Sequence, residues 1–217
     1  MGMTGMQYAI VLMVTLWFAV STADHSADHT AGNDTSSSND TSTAVSTESD
    51  NSHNSPVLFG TCYMQPNPNY AGDEAVTGIV NFHQRRRLPL DVFVRLSGFN
   101  TSASLRRHGI VVHQQGDISG GCESSGPHYN PSNSTHGYRE DHARHEGDLG
   151  NIDVDQGQVD TNFTVKGVSL FGKYSIIGRT LVVHVNEDDG GSGLDPQSAV
   201  TGNVGACMAC CVIGRLD

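Results

Sequence analysis

His108-Gly109-Ile110-Val111-Val112-His113-Gln114-Gln115-Gly116-Asp117 holds a β-branched run at 110–112 and ends on a Gly-Asp turn signal. Residues 109–114 are therefore predicted to form a strand. Side chains alternate on a strand, which puts Val111 and His113 on one face and Val112 on the other. Seven more short segments share this character: 57–64, 75–83, 90–97, 150–154, 162–165, 180–185 and 206–213. Each is rich in Val, Ile, Leu or Phe, and clusters of Gly, Asn, Asp and Pro separate them. Short strands with turns between them, and no persuasive 3.6-residue period, predict an all-β sandwich or barrel. Two connections are long, 115–149 and 186–205, and loops of that length are usually functional or disordered.

The chain changes character towards its start. Residues 9–20 are apolar but too few to span a bilayer, and Ser21-Thr22-Ala23 follows as a small-residue cleavage pattern. Residues 1–23 are thus expected to be a signal peptide, and the protein to be secreted and extracellular. Residues 24–56 are mostly Ser, Thr, Asp, Asn and Ala, with six acidic residues and neither Lys nor Arg. Such a segment buries too little apolar surface to offset its ordering entropy, so a disordered tail is expected. Residues 57–217 suffice for one domain with a real core. The formal net charge of −11 argues against a nucleic-acid partner, and no second apolar run is present to span a membrane. Asn33, Asn39, Asn100, Asn133 and Asn162 each open an Asn-X-Ser/Thr triplet, a pattern that fits a secreted glycoprotein.

Metal chemistry is the strongest functional signal. Imidazole binds zinc or copper, and a carboxylate completes a tetrahedral zinc site beside three imidazoles. His128, His136, His145 and Asp148 could supply that set from the first long loop. His113 and His184, on separate strands, could hold a second metal. The competing reading is that a chain with 11 histidines scatters them over its surface.

The motifs around these residues resemble the copper/zinc superoxide dismutases. The 108–117 stretch is similar to the family's copper-binding strand. Gly121-Cys122-Glu123-Ser124-Ser125-Gly126-Pro127-His128 resembles the segment with the half-cystine and the bridging histidine, and His145-Glu146-Gly147-Asp148-Leu149-Gly150-Asn151 the end of the zinc loop. Ile177-Gly178-Arg179-Thr180-Leu181-Val182-Val183-His184, Gly202-Asn203-Val204-Gly205 and Ala209-Cys210-Cys211-Val212-Ile213-Gly214 continue the match. The resemblance covers 57–217 and implies an eight-stranded Greek-key β-barrel that forms a dimer or larger assembly. It implies zinc on His128, His136, His145 and Asp148, and copper on His113, His184 and a bridging His128. Asp188 would orient a zinc histidine, and Cys122 would pair with Cys210.

Two family positions differ. Val111 stands where the first copper histidine belongs and offers no donor atom. His108 cannot replace it, because five residues from His113 is an odd separation that places it on the opposite strand face. Cys207 stands where the family has the arginine that draws superoxide inward, and a thiol lacks that fixed charge. The lysines usual around the channel are also missing from 186–201. The resemblance therefore implies a zinc-binding protein with a weakened copper site and weak or no dismutation, against the alternative of an active extracellular enzyme. The secreted chain with a polar tail further resembles bivalve hemolymph dismutase-like proteins, which implies metal binding, transport or defence.

Cys62 and Cys211 fall on strands that neighbour one another in the family fold, so a second bridge between them is open, and Cys207 is left free or linked to another chain. Arg85-Arg86-Arg87 and Arg106-Arg107 could meet anionic glycans or a microbial surface, or could be solvated turn residues.

Overall fold

A computed structural model describes residues 55–102 and 107–217. The expected signal peptide, nearly all of the expected tail, Asn33, Asn39 and Arg106 lie outside the described residues. The described chain is almost entirely β: β1 (Val57–Pro66), β2 (Thr77–Arg85), β3 (Leu90–Ser97), β4 (Arg107–Val112), β5 (Asp148–Asp153), β6 (Gln158–Val165), β7 (Thr180–His184), β8 (Cys207–Val212) and β9 (Gly214–Leu216). A 3₁₀ turn at Cys122–Ser125 and one helical turn, α1 (Ser198–Thr201), are the helical exceptions among these residues.

All ladders are antiparallel, in the order β5-β4-β7-β8-β1-β2-β3-β6, and β9 extends the last strand onto β1. Strands β1 to β3 pair in sequence. The chain then crosses from β3 to β4 and back from β6 to β7, as Greek-key connections require. The result is the expected eight-stranded, nearly closed barrel.

β3 shows how the sequence dictates this. Leu90, Val92, Val94 and Leu96 alternate inward, while Phe93, Arg95 and Ser97 are exposed, the period-2 pattern of a sheet with one wet face. β4, β7 and most of β8 are instead buried on both faces. Their inner residues Ile110, Val112, Leu181 and Val183 join the main core with Phe82, Met64, Leu149 and Ile213. Their outer face lies under the two long loops, and Val182 there packs on Cys122 and Cys210. This explains why 110–112 and 181–183 read as unbroken apolar runs.

Most strand limits lie one or two residues from expectation, and two of the differences have a clear local origin. β6 begins at Gln158 rather than 162, because Gln158-Val159-Asp160-Thr161 buries only Val159 and its polar outer residues mask the strand. β4 ends at Val112, and His113 continues in a single bridge to His128.

Phe82 is among the largest fully buried side chains. Phe82→Ala should lower the unfolding free energy by about 3–5 kcal/mol, read as a lower denaturant midpoint with unchanged slope.

Candidate metal centre

Strand geometry and loop closure bring the scattered histidines together. His113 follows β4, His184 ends β7, Asp148 opens β5, and His128, His136 and His145 come from the loop between β4 and β5. Their candidate donor atoms form two groups, each within 4.8 Å: His128, His136, His145 and Asp148, and His113, His128 and His184. His128 belongs to both. All six side chains are buried, which excludes the surface-scatter reading for these residues.

Asp148 organises the first group. Its Oδ1 lies 3.1 Å from His128 Nδ1 and 3.2 Å from His145 Nδ1, and its Oδ2 lies 3.0 Å from His136 Nδ1. The backbone N–H groups of His145 (2.9 Å) and Gly137 (3.3 Å) also donate to Oδ2. Burial alone would raise this carboxyl's pKa, but the hydrogen bonds from His128, His136 and His145 outweigh it and hold the group far below the usual carboxylate range. His136 also meets a second carboxylate, with Nε2 2.7 Å from Asp188 Oδ1. Burial opposes charge on this imidazole, yet Asp148 and Asp188 push its pKa up to about 9. Two fully buried carboxylates around one ring make a pocket that demands positive charge. A divalent cation meets that demand, and three imidazoles with one carboxylate form a zinc-type donor set.

Asp188 is itself held in place. Its backbone N–H donates to Asn151 Oδ1 and its carbonyl accepts from Asn151 Nδ2, both at 2.8 Å, and Gly190 N–H donates to Oδ1. Gly202, at φ 65°, closes over the pair. A Cβ there would overlap both Asp188 Oδ1 and His136 Nε2, so the position needs glycine for space as well as for backbone freedom.

The second group has different electrostatics. His113 Nδ1 lies 2.7 Å from the Gly126 carbonyl, and His184 Nδ1 lies 3.1 Å from that of Gly205. Carbonyls only accept, so both Nδ1 atoms carry the proton and both Nε2 atoms present lone pairs. Those two Nε2 atoms face one another at 3.1 Å. Burial and the neighbouring His128 push His113 down to about 4, and burial with His113 and His128 holds His184 well below its ordinary value. Two opposed lone pairs on neutral rings repel unless a cation shares them. The group fits a metal, with three donors where the family pattern implies four.

Val111 is fully buried and opposite Val182 on β7, next to a register shift in the β4–β5 ladder. It belongs to neither donor group. His108 is on the inner face, its ring 5.2 Å from that of Phe99, so the alternation argument against it as a substitute ligand holds.

Both groups border a cavity of about 1020 Å³, lined in part by His113, His128, His145, His184 and Cys207. Cys207 is the free cysteine among the described residues, and burial, then Glu123, pushes its thiol up to about 11. Lys173 and Arg179 also line this cavity, so its positive charge comes from the segment before β7 and not from 186–201, which has neither Lys nor Arg. The Arg179 guanidinium lies 3.6 Å over the Tyr129 ring, and it donates to the Ser175 and Gln114 carbonyls.

Bridges Cys122–Cys210 and Cys62–Cys211 both form. Asn67 was missed by sequence reasoning. Its side chain ties the half-cystine loop to β8, through Glu123 Oε1 at 2.8 Å and the Cys207 carbonyl at 2.9 Å. Nothing in an Asn-Pro-Asn turn signals such a role. Asn151, quoted within the zinc-loop motif, proves to be the clamp on Asp188. Asn100, Asn133 and Asn162 are exposed. Arg107 is neutralised by Asp153 and Glu187, whereas Arg86 and Arg87 are exposed.

If Asp188 orients His136, Asp188→Asn should weaken zinc binding about 10–100-fold in competition with a chromogenic chelator. Unchanged affinity would remove the carboxylate from the site's design.

Residues 76–213 match the family model described as copper/zinc superoxide dismutase. The chain is 48% identical over 145 residues to a superoxide dismutase [Cu-Zn] of Schizosaccharomyces pombe, covering 66% of this chain and 92% of that one. It is 44% identical over 144 residues to superoxide dismutase [Cu-Zn] A of Xenopus laevis, covering 66% and 93%. It is 43% identical over 159 residues to the extracellular superoxide dismutase [Cu-Zn] of Homo sapiens, covering 72% of this chain and 64% of that protein. With this barrel and these buried histidines, the chain belongs to the copper/zinc superoxide dismutase family.

Proposed function

We propose that the protein is a secreted metal-binding member of this family with a complete zinc site and a degenerate copper site. In this reading residues 1–23 are removed on export, 24–56 form a polar tail, and 57–217 carry the metals. His128, His136, His145 and Asp148 hold zinc, and Asp188 orients His136. His113, His184 and His128 remain as a three-histidine copper site. The role is extracellular, in a hemolymph-like fluid, through metal binding, transport or defence. The extracellular relative supports export, as do the exposed sequons Asn100, Asn133 and Asn162.

One observation carries the reading. Val111 fills a fully buried position beside His113, where an isopropyl group offers no lone pair. Copper in this family cycles between two oxidation states to convert superoxide to oxygen and hydrogen peroxide, whereas zinc does no redox chemistry. With three donors, two of them fixed by backbone carbonyls, this chain binds copper weakly and turns over little. Cys207 compounds the loss, because electrostatic guidance raises on-rates by about 10–10³ and a protonated thiol supplies none.

An active extracellular dismutase is the second reading. The large cavity reaching His113 and His184, with Lys173 and Arg179 on its wall, favours it. The Arg179 guanidinium is engaged by two carbonyls and a ring, which limits what it can offer an incoming anion.

Elemental analysis of protein purified without added metal should give zinc near stoichiometry and copper well below it, with superoxide removal far under that of the yeast relative. Val111→His should raise both copper occupancy and activity. Stoichiometric copper with full activity in the parent chain would overturn the proposal. Zinc binding also orders the loop, so its energy is folding energy, and chelation should lower Tm. An unchanged Tm would count against the zinc assignment.

A further inference from the structure

On the outer face of the barrel, one row of cross-strand partners runs Thr61, Asn81, Phe93, Asn162 from β1 to β6. Phe93 is 45% exposed, the one aromatic side chain in a polar row. The adjoining rows on β3 and β6 are closed by their own polar pairs. Arg95 Nε lies 3.4 Å from Asp160 Oδ1, and Thr164 Oγ1 donates to Asp91 Oδ1 at 2.8 Å. Asn81 is taken by the Thr61 hydroxyl at 3.0 Å. Phe93 and Asn162 face each other directly with no such partner among the described residues, and both line a cavity of about 270 Å³ with Ile79, Arg95 and Asp160. Asn162-Phe163-Thr164 is an acceptor triplet for an N-linked glycan.

We infer that Asn162 carries an N-linked glycan whose first N-acetylglucosamine stacks on Phe93. The inference rests on the secretion proposed above. Directly opposed residues hold their Cβ atoms about 4.5–5.5 Å apart, so a sugar on the Asn162 amide begins one ring-width from the Phe93 face. The apolar C–H face of the pyranose covers the exposed ring, and its hydroxyls and acetamido group stay in water beside Arg95 and Asp160. β6 stands at one end of the hydrogen-bonded strand order. A bulky hydrophilic group there also hinders edge-to-edge strand association.

The test uses the full chain secreted from a eukaryotic host. Glycopeptide mass spectrometry should find Asn162 occupied, and Asn162→Gln should remove one glycan mass. The glycans are then trimmed enzymatically to a single N-acetylglucosamine. In that protein Phe93→Thr should lower Tm by about 2–4 °C, the shift expected from one good contact in a domain of this size. In the Asn162→Gln background the same substitution should leave Tm unchanged. An unmodified Asn162 overturns the inference. If Asn100 or Asn133 is occupied in that case, secretion stands and only this site fails. If no sequon is occupied and the chain stays inside the cell, the secretion reading fails too. Equal Phe93→Thr shifts with and without the sugar overturn the stacking.

Discussion

The Asp148 carboxylate, buried and shared among three imidazoles and two backbone N–H groups, is the constraint from which the rest of the site follows. It opens β5 and so belongs to the barrel, while every partner it gathers comes from the loop that precedes it. An isolated buried carboxylate is costly, and removing its partners would leave that cost uncompensated. The loop is therefore held by the charge it encloses as much as by its own backbone. Asp188 repeats the arrangement from the second long loop, and His136 between them joins the two loops into one lid over β4 and β7.

That lid explains the barrel's asymmetry. The strands beneath it are apolar on both faces, whereas β2, β3 and β6 keep one face in water. The register shifts between Gly109 and Val111 and between Val183 and His184 fall on the lidded strands. Shifts of this kind re-aim side chains and recur beside functional sites. Val111 is fully buried among these strands, so the missing donor proposed at this position is a chemical difference and leaves no gap in the packing.

Much of this was legible in the sequence, for identifiable reasons. Alternation in 90–97 marked a half-buried strand, and the apolar runs at 110–112 and 181–183 marked strands covered on both faces. Every residue of the two donor groups could be named in advance because the motifs carry them in order. What could not be read were contacts that depend on loop closure. Asn67 and Asn151 act through amides whose partners lie 56 and 37 residues away, and no local pattern distinguishes them from ordinary turn residues. Arg179 and Lys173 were overlooked as cavity residues because sequence distance hides that their segment folds beside His128. The start of β6 was lost to its own polar outer face.

The bridge between Cys62 on β1 and Cys211 on β8 joins residues 149 positions apart. Everything between them, including all six candidate ligands, is one covalent ring. A protease that nicks an exposed loop inside the ring opens the circle without releasing a fragment, so both halves of the ligand set stay attached to the same molecule. A cut before Cys62 has the opposite outcome: it detaches whatever precedes the cut, the acidic stretch of 24–56 included, and leaves the ring whole.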